Sequence, residues 1–126
     1  MQRTKKLTSH ADSPFFKAGL GGKVAHYHSK ENIYSQGTPA YTLFYIQAGG
    51  VRLTTHSEHQ PAAVTAILGV GDFFGELCLV GLPLRMSTAV ALTASSIRVI
   101  KKDSMIRMLQ RKNKKSMSFV SYLVNS

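Results

Sequence analysis

Gly71-Asp72-Phe73-Phe74-Gly75-Glu76-Leu77-Cys78-Leu79, followed by Pro83-Leu84-Arg85-Met86-Ser87-Thr88-Ala89, decides how this chain is read. Glu76 and Arg85 stand nine residues apart. Between them lie a glycine-led run able to open a short helix and a Gly81-Leu82-Pro83 turn. Such a segment can build a small anion pocket. The first amides of a helix have no intrahelical acceptor and point at a phosphate. A guanidinium clamps the same group through two parallel N–H donors. A carboxylate beside a phosphate would repel it, so Glu76 is suited to accept hydrogen bonds from neutral hydroxyls. A ligand carrying one phosphate next to a sugar hydroxyl fits these demands.

The chain on either side has a β texture. From about residue 23 to 101, short runs of β-branched and aromatic residues alternate with glycine turns. Tyr41 to Ala48 and Val51 to Ser57 read as strands, and Gly49-Gly50 between them as a two-residue hairpin, because primed turns need positive φ. Further strands are expected over Ala62 to Leu68, Ser87 to Thr93 and Ile97 to Lys101. This spacing predicts a sandwich or jelly roll. The period then changes. Asp103 or Ser104 can cap a helix in which Met105, Ile106, Met108 and Leu109 share an apolar face, and Asn113 ends it. A second amphipathic helix would carry Met117, Val120, Leu123 and Val124 on one side.

The run Gly-Asp-Phe-x-Gly-Glu-Leu, then Arg and small residues, resembles the phosphate-binding cassette of cyclic nucleotide-binding domains. The closer likeness is to the sensor domain of Crp/Fnr-type bacterial transcription regulators. Ile33 and Gly37, then Phe44-Tyr45-Ile46, Gly49 and Val51-Arg52-Leu53 follow in that family's order, so the resemblance covers roughly residues 15 to 124. It implies a mainly β jelly roll (a double-stranded β-helix) with flanking α-helices. The lead-in would be residues 1–14, and the domain residues 15–126, ending in a truncated C-terminal helix. The implied ligand is cAMP or cGMP, held by Gly75, Glu76, Leu77, Cys78, Arg85, Met86 and Ser87. In that family the glutamate matching Glu76 contacts the ribose 2′-hydroxyl. Two departures stand out. Met86 occupies a position where the family often has serine, threonine or alanine. The long dimerisation helix and helix-turn-helix domain of the family are not among these 126 residues.

Composition narrows the alternatives. The net charge is +10. Residues 1–30 carry six basic side chains and one acid, and residues 101–126 carry seven and one, so the basicity belongs to the ends. Lysines on solvated surfaces account for it more simply than a nucleic-acid or membrane site. No apolar run approaches the roughly 18 residues of a membrane span. No apolar stretch follows the basic N-terminus, so a secretory signal is not expected and a cytoplasmic location is. A single cysteine, Cys78, excludes an internal disulfide framework. In Leu-Cys-Leu it reads as a small buried hydrophobe rather than a redox sensor. His26-x-His28-x-x-Glu31-x5-Gly37 comes near the first cupin metal motif but is one residue short, and no histidine follows His59. His56 and His59 fall in a polar, hairpin-like loop. No metal site, no cofactor beyond the nucleotide and no catalytic set is expected.

These readings predict a ligand sensor, with a degenerate sensor acting as an interaction or dimerisation module as the alternative. A weak homodimer at most is expected, and DNA is a partner only through a domain not present in this chain. The isolated 126 residues should bind DNA only through their basic ends. Gel-shift affinity should fall steeply with added salt and not depend on DNA sequence; salt-resistant, sequence-selective shifts would contradict this.

Overall fold

The computed structural model describes residues 22–110. The expected lead-in over 1–14 and the second amphipathic helix near Met117 to Val124 lie outside these residues, as does Asn113. Eight strands form two four-stranded antiparallel sheets, the jelly-roll arrangement that the spacing of short strands predicts. The strands are β1 (Lys23–Tyr27), β2 (Asn32–Tyr34), β3 (Thr42–Ala48), β4 (Gly50–Ser57), β5 (Gln60–Gly69), β6 (Phe73–Phe74), β7 (Thr88–Ala91) and β8 (Ser95–Lys101). One sheet has the order β1-β8-β3-β6, the other β2-β7-β4-β5. A 3₁₀ helix, Glu76–Val80, follows β6, and an α-helix, α1 (Lys102–Gln110), follows β8. None of the helices described is long and apolar enough to cross a membrane.

The unbroken apolar run Leu43-Phe44-Tyr45-Ile46 explains where the core sits. Successive side chains of a strand point to opposite faces, so a continuous apolar run marks a strand covered on both. All four residues are buried. Phe44 and Ile46 face the second sheet, packing with Val51, Leu68, Phe74, Ala89 and Ile97. Leu43 and Tyr45 face the other way, against Phe73, Ile100, Met105 and Met108. The short β6 repeats this division. Phe74 stacks on Phe44 with centroids 4.9 Å apart, and Phe73 tilts against Tyr45 at 5.0 Å. α1 starts one residue before the expected Asp103 cap. Its first N–H, on Lys102, donates to the carbonyl of Tyr41 at 2.9 Å. Met105 and Met108 are its buried residues, with Leu109 packed beside them.

The Gly49-Gly50 hairpin is corrected by the structure. β3 and β4 lie in different sheets, and the two glycines carry the chain from one to the other. Gly49 has φ +90°, and a Cβ there would collide with Ser95 Oγ and lie 2.6 Å from the Ala94 carbonyl oxygen. The Gly50 N–H donates to Ser95 Oγ at 3.2 Å, and the Leu92 N–H donates to the Gly50 carbonyl at 2.9 Å. Positive φ is demanded here by a corner between sheets, not by a tight turn. The two-residue hairpin is at Glu58-His59, where Ser57 faces Gln60 and β4 returns as β5. Among the described residues only Lys30 has positive φ without being glycine, so this turn lacks the primed geometry that advertises hairpins in sequence.

Gly49→Ala should cost about 1–3 kcal/mol, combining backbone strain with the clash at Ser95. Gly37→Ala is the control: φ there is +87°, but nothing lies within 4 Å of a Cβ. Urea denaturation should show the larger loss at Gly49. Equal losses would mean that the corner contact is not what requires glycine.

Candidate functional site

The Gly71-Asp72 turn tucks the quoted segment onto β3. Gly71 N–H donates to the Ile46 carbonyl at 2.9 Å, and Ile46 N–H donates to the Asp72 carbonyl at 3.0 Å. The buried Asp72 carboxylate accepts from Gly69 N–H at 2.9 Å, so this acid closes a turn and is not part of the anion site. β6 then leads to Gly75, whose φ of +73° bends the chain into the 3₁₀ helix. A Cβ on Gly75 would lie 2.8 Å from Arg85 Nη1 and 3.0 Å from the Phe44 ring. Glycine is therefore needed here for conformation and for close approach.

The return segment is strapped in place by the main chain. Ala40 N–H donates to the Pro83 carbonyl at 2.9 Å. Arg85 N–H donates to the Thr38 carbonyl, and Gly37 N–H to the Arg85 carbonyl, both at 2.8 Å. These bonds fix where the Arg85 side chain starts. Its guanidinium turns inward and the residue is only 7% exposed. Nη1 donates to the Gly75 carbonyl at 3.2 Å and Nη2 to Thr42 Oγ1 at 3.0 Å. The Tyr34 ring lies 4.3 Å from the guanidinium carbon and the Phe44 ring 5.3 Å. Nε is buried with no hydrogen-bond partner, and no carboxylate is among the partners of the other two nitrogens.

Gly75, Glu76, Leu77, Cys78, Arg85, Met86 and Ser87 all line one cleft of about 180 Å³. Leu77, Leu84 and Met86 are exposed apolar residues at its lining, with Met86 56% exposed. Further lining comes from residues that the motif does not contain. Tyr34 from β2 lines the cleft, as do Leu53 from β4 and Ala66 and Leu68 from β5. Burial pushes the Tyr34 phenol up to about 12, against the lowering effects of Arg85 and Ser87. The phenol is therefore a neutral polar group at physiological pH. Tyr34 had one legible signal, an aromatic residue just before the Gly37 turn. Thr42 had none, because its partner Arg85 is 43 positions away.

Cys78 is buried, with Sγ 3.4 Å from the Gly75 carbonyl oxygen and 3.6 Å from that of Thr42. Burial raises its pKa, outweighing the opposing effect of Arg85, so the thiol stays protonated. It packs as a small hydrophobe in the cleft floor. The His28-x-x-Glu31 spacing is a turn: Glu31 Oε1 accepts from His28 N–H at 2.9 Å. Among the described residues no three His, Cys, Asp or Glu side chains come together as a metal site would require.

The arrangement sets a buried guanidinium beside Glu76 and apolar surfaces in one cleft. A cGMP-dependent protein kinase of Drosophila melanogaster (isozyme 2, forms cD5/T2) is 36% identical over 73 residues, which are 57% of this chain and 8% of the kinase. The chain thus spans a small part of that relative. The catabolite activator protein of Thermus thermophilus superposes with a TM-score of 0.78 at 20% identity, over 94% of this chain and 56% of that one. The structure of cAMP-bound PfPKA-R (141–441) gives 0.65 at 26% identity, over 72% and 34%. Residues 24–112 match the family pattern of the cyclic nucleotide-binding domain, and the chain belongs to that family.

Proposed function

We propose that the cleft binds a cyclic nucleotide, cAMP or cGMP, and that the domain acts as the sensor of a regulator of the Crp/Fnr type in the cytoplasm. The observation that carries this reading is Arg85. A guanidinium that is 7% exposed and lacks a carboxylate partner is costly unless an anion completes it. The cyclic phosphate supplies that anion. Arg85 holds it together with the amides of Gly75 to Cys78, and Glu76 accepts the ribose hydroxyl. Ser87 adds a hydroxyl where Met86 has none to give, and Leu77 and Met86 cover the apolar part of the ligand. The role is sensing rather than catalysis. Other partners, DNA among them, are reached through segments outside this domain.

A second reading is a sensor that has kept the fold and lost the ligand. The size of the cleft favours it, since about 180 Å³ is below the roughly 300–1,000 Å³ of typical small-molecule sites.

Calorimetry with cAMP and cGMP separates the two. The first reading expects saturable binding of at least one nucleotide. Arg85→Ala should weaken it by about 1.5–3 kcal/mol, the value of a hydrogen bond to a charged group. Glu76→Ala should weaken the ribonucleotide and leave its 2′-deoxy analogue unaffected. Equal losses for both would remove Glu76 from ribose recognition. No binding of either nucleotide at millimolar concentration would establish the second reading.

A further inference from the structure

Contacts from both sheets meet on the Arg85 guanidinium. Its hydrogen-bond partners, Thr42 Oγ1 and the Gly75 carbonyl, come from β3 and from the bend after β6. From the other sheet comes Tyr34, on β2, with the guanidinium carbon over its ring at 4.3 Å. This is the nearer of two rings, since Phe44 stands at 5.3 Å. The Tyr34 ring is itself held. Its centroid lies 5.5 Å from that of Phe44 and 6.1 Å from that of Phe74, and its backbone pairs with Ala89 of β7.

The two kinds of contact use different parts of the guanidinium. An aromatic ring attracts a cation through its π face and takes up no N–H. Each terminal nitrogen carries two hydrogens. The bonds to Gly75 and Thr42 use one on each, so each nitrogen keeps another for a further acceptor. A phosphate is held best by two N–H groups of one guanidinium together. The ring of Tyr34 thus fixes the group while leaving its hydrogen-bonding capacity untouched. A long side chain loses rotamer freedom when it is ordered. An arginine already held against a ring has lost that freedom before the ligand arrives, and apparent affinity rises with the fraction of molecules in the competent arrangement.

The geometry points to Tyr34 as the residue that positions Arg85 for the anion, by holding the face of its guanidinium against the aromatic cluster of the core. This inference rests on the nucleotide reading above and adds a residue from β2, outside the phosphate-binding segment. Tyr34 acts through Arg85, and it acts with its ring. The hydroxyl is not required.

The test compares Tyr34→Phe, which keeps the ring, with Tyr34→Leu, which keeps an apolar side chain without one. Urea denaturation checks that each variant is folded. Calorimetry with cAMP and cGMP gives the affinity, and NMR gives the solvent exchange of the Arg85 Nε–H, which is buried in the structure. Tyr34→Phe should stay within about twofold of wild type in both measurements. Tyr34→Leu should bind on the order of tenfold more weakly, and its Arg85 Nε–H should exchange on the order of tenfold faster. Weaker binding by Tyr34→Leu with unchanged exchange would make Tyr34 a packing residue and overturn the inference. An equal loss in Tyr34→Phe would give the role to the hydroxyl and overturn it as well. If wild type binds and Tyr34→Leu binds equally well, Tyr34 does not position Arg85, and the nucleotide reading survives without it. Should Tyr34→Leu misfold, Tyr34→Met takes its place with the same expected losses. If wild type and every folded variant fail to bind either nucleotide, both the nucleotide reading and this inference fall.

Discussion

The enclosure of β3 on both faces is the constraint on which the rest of the structure depends. Phe44 and Ile46 belong to the space between the sheets, Leu43 and Tyr45 to the space under α1. One strand thus serves two cores, and neither can form without it. β6 and α1 are positioned by the second core, and β4, β5 and β7 by the first. The large aromatic and branched side chains involved are those whose burial contributes most, about 1.5–3 kcal/mol each for full removal from water. The cleft grows from the same strand, since Thr42 opens β3 and Phe44 lies beside the guanidinium of Arg85.

This origin explains how a site can be precise while its residues come from separate places. The Gly75 bend is pressed onto Phe44, and the Pro83–Arg85 segment is bonded to Gly37–Ala40. Arg85 then spans from one to the other. Backbone hydrogen bonds fix both ends, so the side chain has few conformations to lose on ordering. Such rigidity favours a designed contact over an adaptable one.

Much of this was legible in the amino-acid sequence because it is local. The alternation of short strands with glycine turns gave the class of fold, and the spacing from Gly75 to Ser87 brought seven residues into one cleft. The errors are equally instructive. Gly49-Gly50 satisfies hairpin chemistry and sheet-switching chemistry alike, and only Ser95, 45 positions on, tells them apart. Glu58-His59 makes the real hairpin without any glycine or asparagine to announce it. Tyr34 meets Arg85 through its ring and Thr42 through a side-chain hydrogen bond, relations between distant positions that no single stretch records. The place of Arg85 in the pocket was expected; its bonds to the Gly75 carbonyl and Thr42 hydroxyl were not.

Arg85 also bears on stability. A buried guanidinium without a carboxylate carries a desolvation cost in the fold, set against its bonds to the Gly75 carbonyl and the Thr42 hydroxyl. In the nucleotide reading, the cost of burying one cation is carried by the fold so that a ligand can be met.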